Sequence, residues 1–196
     1  MDAAIDHKRQ VRLWLLLPIW VALVVAGFSY IEVYQNRPGK PAVAPTVTSL
    51  KTKLPQLLVF LHPQCPCSRA TVAELARIVA LTKSRIETKA YVYSPREEGP
   101  KWAMTDLYQS AKAIPEVRVE LDTDGKVSRS YGVFTSGQVL LYSPEGRLVF
   151  SGGITATRGH EGDSDGKDAV INYIRTGKTG VKSTHVFGCS LGFEHT

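Results

Sequence analysis

The sequence predicts an α/β domain, a layered sandwich on a mixed central sheet, preceded by one N-terminal transmembrane helix. Three observations predict it. Strand-like apolar runs alternate with helix-patterned segments through the first half of the domain. The chain then closes on a β-hairpin and a final helix. Ahead of all this, no charged residue occurs from Leu13 to Ile31, close to the ~20 residues needed to cross a bilayer.

The 196 residues hold one ordinary domain and an appendage. His7, Lys8, Arg9 and Arg12 precede the uncharged run and Glu32 follows it. Positive charge on that side favours a cytoplasmic N-terminus and an exported C-terminal domain. Trp14, Trp20, Tyr30 and Tyr34 include rings near both ends of the run, where amphipathic aromatics settle. A cleaved signal peptide competes with this reading, since Val24 and Ala26 suit a small-residue cleavage site; its apolar region is normally shorter, roughly 7–15 residues. The expected organisation is a cytoplasmic N-terminus (1–12), a single-pass anchor (13–34), a linker (35–55), a periplasmic or otherwise extracytoplasmic domain (56–178) and a tail (179–196).

The linker, QNRPGKPAVAPTVTSLKTKLP, is rich in Pro, Lys and Thr without periodicity, as a semi-extended spacer would be. LLVFL (57–61) is a short continuous apolar run, expected of a strand buried on both faces. Val72, Leu75, Ala76, Val79 and Ala80 then recur at helical spacing within 67–82. IETKAYVYS (86–94) alternates as a second strand, WAMTDLYQSAKAI (102–114) reads as a helix, and VRVELD (117–122) as a third strand. DTDGKVSRSYGV carries an Asp-Gly turn and a short helical piece. QVLLYSPEGRLVFSGG (138–153) is a hairpin around Ser-Pro-Glu-Gly. DGKDAVINYIRTG (165–177) is a terminal helix, capped by Ser164 or Asp165 and ended at Gly177.

The formal charge of +6 is modest and the basic residues are scattered, which argues against nucleic-acid binding. Three cysteines, Cys65, Cys67 and Cys189, exclude a disulfide scaffold and leave at least one thiol unpaired within a monomer. An exported compartment permits disulfides. GHEGDSDGKD (159–168) fails as a calcium loop, because Lys167 and Ile174 fall where ligands are required; an acidic helix N-terminus accounts for it.

Chemistry concentrates in HPQCPCSRA (62–70), between the first strand and the first helix of the domain. Pro66 suits the first helical position, which makes Cys65 the cap residue and puts Cys67 in the first turn. Unpaired N–H groups and the helix dipole there favour a thiolate.

FLHPQCPCSRATVAEL resembles the active-site segment of thioredoxin-like proteins, in particular the membrane-anchored, exported branch related to cytochrome-maturation and alkyl-hydroperoxide-reductase-like thioredoxins. VELDTDGKVSRSYGVFTSGQVLLYSPEGRLVFSGG is similar to the same family in its Asp-x-x-Gly turn, Tyr-Gly-Val and closing hairpin. The resemblance spans roughly 50–178. It implies a thioredoxin-like three-layer sandwich and a thiol–disulfide oxidoreductase acting through Cys65. It implies protein or small-thiol substrates, an upstream redox partner and no organic cofactor. Two departures stand out. Ser68 occupies the place of the second thiol of a Cys-x-x-Cys pair, and Gly137 the place of the family's cis-proline, beside Ser136, which the resemblance assigns to binding an extended substrate backbone.

The resolving thiol is either Cys67 or Cys189. Residues two apart on a helix point to nearly opposite sides, so a Cys65–Cys67 bond requires a distorted first turn. Cys189 can return from the helix end at Thr176, since the intervening chain spans roughly 40 Å if extended. Val186, Phe187, Leu191 and Phe193 supply apolar anchors. The alternative is a copper-binding protein of the Sco type, with His62, Cys65, Cys67 and Cys189, His160 or His185 as soft ligands. A thiol peroxidase, with Arg69 near the thiolate, and a non-catalytic tethered binding module are the remaining readings. Arg158, His160 and Glu161 lie on a loop that could approach the redox face.

Overall fold

The computed structural model describes residues 2–48 and 51–192. The chain divides into two units, Met1–Arg37 and Pro38–Thr196. The first is a single helix, α1 (Asp2–Gln35), with Pro18 inside it. Its Leu16–Gln35 segment is long and apolar enough to cross a membrane, with mean hydropathy 2.0 and none of it buried.

The second unit runs β1 (Gln56–Leu61), α2 (Pro66–Thr82), β2 (Glu87–Ser94), α3 (Pro100–Ala103), α4 (Asp106–Lys112), β3 (Val117–Thr123), α5 (Lys126–Ser130), β4 (Gln138–Tyr142), β5 (Leu148–Gly153) and α6 (Asp165–Thr176). The strands form one mixed sheet in the order β3-β2-β1-β4-β5. β1, β2 and β3 are parallel, and β4 and β5 run antiparallel to their neighbours.

β1 is buried along its whole length, and its alternating side chains serve two cores. Leu57, Val59 and Leu61 join α2, α4 and α6 on one face, through Leu75, Ile78, Leu107 and Val170. Leu58 and Phe60 join the other face with Tyr91, Val133, Leu140 and Tyr142. Long helices cover only the first face. The second is covered by α5 and by two segments expected to lie outside the domain.

One is the supposed spacer. Gly39 donates to the Val186 carbonyl at 2.8 Å, Val43 to that of Gly132 at 2.9 Å, and Thr48 to that of Gly146 at 2.8 Å. The Tyr142 hydroxyl donates to the Pro45 carbonyl at 3.0 Å. Residues 38–48 are therefore extended, as their composition implies, but docked. The other is the tail. Ser183 bridges Ser151 in parallel, and Leu191 is fully buried in the second core. Phe193 lies outside the described residues.

The expected helix over 102–114 is broken into α3 and α4. Thr105 is extended between them, and its hydroxyl donates to the Pro63 carbonyl at 3.1 Å, so a side chain that caps the loop before Cys65 interrupts the helical run. α5 is set by Asp122, nearly fully buried, whose carboxylate accepts the Val127 and Ser128 N–H groups at 2.8 and 2.9 Å. α6 is capped by Ser164, which accepts from the Lys167 N–H, and ends at Gly177 in the left-handed region.

α6 approaches β5 so closely that a Cβ on Gly166 would overlap the Gly153 carbonyl oxygen. Gly166→Ala should therefore destabilise the full chain by about 1–3 kcal/mol through overpacking, read as a lowered melting temperature in detergent.

Candidate active site

β1 delivers the chain to a tight loop in which Cys65 donates its N–H to the His62 carbonyl at 3.1 Å. Cys65 is the N-cap of α2, with φ −88° and ψ 120°, and Pro66 follows at the first helical position. The side chain is 2% exposed. Ser68 is fully buried; its hydroxyl accepts the His62 N–H at 3.2 Å. Where a second Cys-x-x-Cys thiol would stand there is thus a hydroxyl engaged with the backbone.

A different thiol faces Cys65. The tail turns back so that Thr135 and Ser190 form an antiparallel bridge. Ser136 donates its N–H to the Cys189 carbonyl at 2.8 Å, and Leu191 donates to that of Phe134 at 3.0 Å. Cys189 donates its own N–H to the Ser136 hydroxyl at 3.0 Å. These bonds set the Cys189 sulfur 2.7 Å from that of Cys65. Closing this gap to the ~2.05 Å of a disulfide takes less than an ångström of movement. Gly137, at φ +82° after a trans bond, donates to the Phe60 carbonyl at 2.7 Å. A Cβ there would lie 3.3 Å from the Phe187 carbonyl oxygen, so the wall at Gly137 is closed over by the tail.

Neither a protein-family model nor a curated protein matches the chain. Solved structures do. An uncharacterized conserved protein from Geobacillus kaustophilus superposes with TM-score 0.61 at 16% identity, over 83% of this chain and 96% of that one. A hypothetical protein from Sinorhizobium meliloti gives 0.56 at 18% identity, over 83% and 99%. A secreted Mycobacterium tuberculosis disulfide oxidoreductase homologous to E. coli DsbE gives 0.46 at 16% identity, over 65% and 84%. Sheet order, a cysteine capping the helix after β1, and a loop before β4 facing that cysteine now stand together. The fold is thioredoxin-like.

Within this thioredoxin-like site the three thiols differ electrostatically. Burial opposes a charge on Cys65, but hydrogen bonds from the Cys189 thiol, the Ser136 hydroxyl and the N–H groups of Ser68 and Cys189 outweigh it, so its pKa falls below the ordinary thiol value. Because the Ser136 oxygen already accepts from Cys189, its own proton is free to point at the Cys65 sulfur. Burial, followed by the adjacent Cys65, pushes Cys189 up to about 12. Burial and then the Cys65 charge raise Cys67, against the pull of Arg158. Of the three thiols Cys65 is therefore the one whose surroundings favour losing its proton, while those of Cys67 and Cys189 disfavour it.

Arg158 is the cation of the site: it donates to the Gly188 carbonyl at 2.8 Å and its charge acts on Cys67 and Cys189. Arg69, considered for a peroxidatic role, instead makes a bidentate, largely exposed pair with Asp106 on α4. His62 stacks on Tyr93 and meets Trp102 edge-on, each at 5.7 Å, and its Nδ1 accepts the Gln64 N–H at 3.2 Å. Burial lowers its pKa. His160 is exposed and His185 packs on Phe187. Among the described residues no group of three or more His, Cys, Asp or Glu is arranged to hold a metal ion.

Glu74 was not legible as part of the site. It is fully buried on α2, accepts the Gly162 N–H at 2.7 Å, pairs with Arg77, and lies 3.3 Å from the Lys167 ammonium. Arg77 also reaches Glu161. These contacts pin the loop that carries Arg158. An acid at a core-facing helical position is the signal that could have flagged it.

The donor set yields a pH prediction. In the reduced chain, iodoacetamide should alkylate Cys65 with a midpoint below that of an ordinary thiol, while Cys189 stays protonated and slow. Ser136→Ala removes a donor to the thiolate and should move the Cys65 midpoint upward, as followed by peptide mass mapping across pH.

Proposed function

We propose that the chain is a membrane-tethered, extracytoplasmic thiol–disulfide oxidoreductase in which Cys65 attacks and Cys189 resolves. The observation that carries this reading is the 2.7 Å approach of the two sulfurs at the N-terminus of α2. The thiolate-favouring surroundings of Cys65 support it, as does the apolar Leu16–Gln35 helix for the tether. The basic residues before that helix support an exported domain.

In the reducing direction the Cys65 thiolate attacks one sulfur of a substrate disulfide. That disulfide breaks, and its other sulfur leaves with the bonding pair and takes up a proton. Cys65 is now in a mixed disulfide and uncharged, which removes one of the causes that held the Cys189 thiol protonated. Cys189 loses its proton and attacks the Cys65 sulfur; the substrate's remaining sulfur leaves as thiolate. Two electrons have passed to the substrate, and a Cys65–Cys189 disulfide remains for an upstream dithiol partner to reduce. The reverse sequence oxidises a dithiol, and relative potentials set the direction. Thiol exchange carries the electrons without an organic cofactor. Cys67 is a bystander to both steps, held in the first turn beside Arg158.

Single substitutions test the roles. Cys65→Ser should reduce disulfide exchange to background, Cys189→Ser should accumulate the Cys65 mixed disulfide, and Cys67→Ser should keep most of the activity. Non-reducing mass mapping of the full chain after reaction with a protein disulfide reads all three. A mixed disulfide on Cys67, or full activity without Cys189, would sink the assignment.

A further inference from the structure

The tail does more than present a thiol. Phe187 to Leu191 lies extended along residues 134–136, using the backbone hydrogen-bonding groups of Phe134 and Ser136. Each position is read differently. Phe187 is largely buried and Leu191 is fully buried, in the core with Phe60, Tyr91 and Tyr142. Ser190 points outward and is exposed. Gly188 is the strictest position: a Cβ there would overlap the Ser136 carbonyl oxygen, and Arg158 holds its own carbonyl. Backbone pairing is indifferent to sequence, whereas the contacts at 187, 188 and 191 are not.

We propose that this groove is a binding site for extended cysteine segments of the pattern apolar–Gly–Cys–x–Leu in a partner protein, and that the chain's own tail is its resident occupant. This rests on Cys65 being the exchanging thiol and names the substrate class of that same site. Tail and partner cannot lie in the groove together, so substrate entry requires Phe187–Leu191 to leave. In the reduced chain, with the tail displaced, the exchange balances by itself. The Cys65 thiolate attacks the groove-bound cysteine sulfur of a partner disulfide and forms a new Cys65–partner disulfide. The partner's own disulfide breaks, and its other sulfur leaves with the electron pair and takes up a proton.

The test uses the full chain in detergent with Cys67→Ser and Cys189→Ser, so that Cys65 is the sole thiol. Three hexapeptides are offered as mixed disulfides with thionitrobenzoate: Val-Phe-Gly-Cys-Ser-Leu, the same with Ala for Gly, and the same with Ala for Leu. The residual tail competes equally with all three, so the ratios report the groove. The parent peptide should release thionitrobenzoate about tenfold faster than either variant, the loss expected on denying a Leu side chain its burial or a Gly its close approach. Equal rates for all three would overturn the proposal. Ellman's reagent, too small to need the groove, separates that failure from a failure of the exchange reading. If it reacts at Cys65 while the peptides are indistinguishable, only the groove's selectivity falls. If Cys65 ignores it too, both fall.

Discussion

The antiparallel pairing of residues 134–136 with 189–191 is the contact on which the reactive end depends. It brings Cys189 to Cys65, and it also makes Cys65 what it is. The thiol and N–H of Cys189 both donate to the Cys65 sulfur, and the Ser136 hydroxyl does so while accepting the Cys189 N–H. A helix N-terminus alone favours a thiolate, but here most of the donors that offset burial depend on the tail. Activation of one thiol and delivery of the other are therefore a single structural event. The tail in turn holds the stretch after the N-terminal helix, through Gly39 and the Val186 carbonyl.

The surroundings keep that event in register. Arg158 grips the tail at Gly188, and the loop carrying Arg158 is fixed from below by Glu74, Arg77 and Lys167. A fully buried carboxylate gains little net stability from its partners, because desolvation offsets the attraction, yet removing one partner is costly. Such a cluster is better suited to defining a geometry than to adding stability. On the opposite side of Cys65, Thr105 interrupts a helix to hold Pro63, and His62 is locked among Tyr93 and Trp102. The loop carrying Cys65 is thus braced on both flanks by contacts within the chain.

Much of this was legible in the sequence where pattern is local. The LLVFL strand, the Pro66-started helix, the Ser-Pro-Glu-Gly hairpin and the Ser164-capped final helix each carry their own signal, and together with the resemblance they imply the fold. Cys65 at the cap follows from Pro66 alone. What could not be read was long-range. Nothing local distinguishes a spacer that floats from one whose carbonyls meet Tyr142 and Thr135, because extended backbone looks the same in either case. Which of Cys67 and Cys189 lies against Cys65 likewise depends on where the tail docks, a matter of non-local pairing. Helix geometry argued against Cys67 but could not supply the partner. Gly188, unremarkable in sequence, becomes critical only once Ser136 lies against it.

A resolving thiol on a tail couples redox state to docking in a way that a Cys-x-x-Cys pair does not. In the familiar arrangement both thiols ride on one helix turn, and their proximity is independent of anything else. Here the proximity of Cys189 to Cys65 is an effective concentration set by how well Phe187 and Leu191 are seated. Linkage then runs both ways: whatever stabilises the docked tail favours the disulfide by the same free energy, and the disulfide favours the docked tail. Bridging residues 65 and 189 closes a loop of more than a hundred residues, which in the chain-entropy view restricts the unfolded ensemble by roughly 4–5 kcal/mol. Reduction releases that restraint, and it is then that the groove beside Cys65 is easiest to vacate. A chain that exchanges disulfides through such a pair can open its groove only while reduced, giving up the Cys189 donors to Cys65 as it does so, and closes it when the electrons have left.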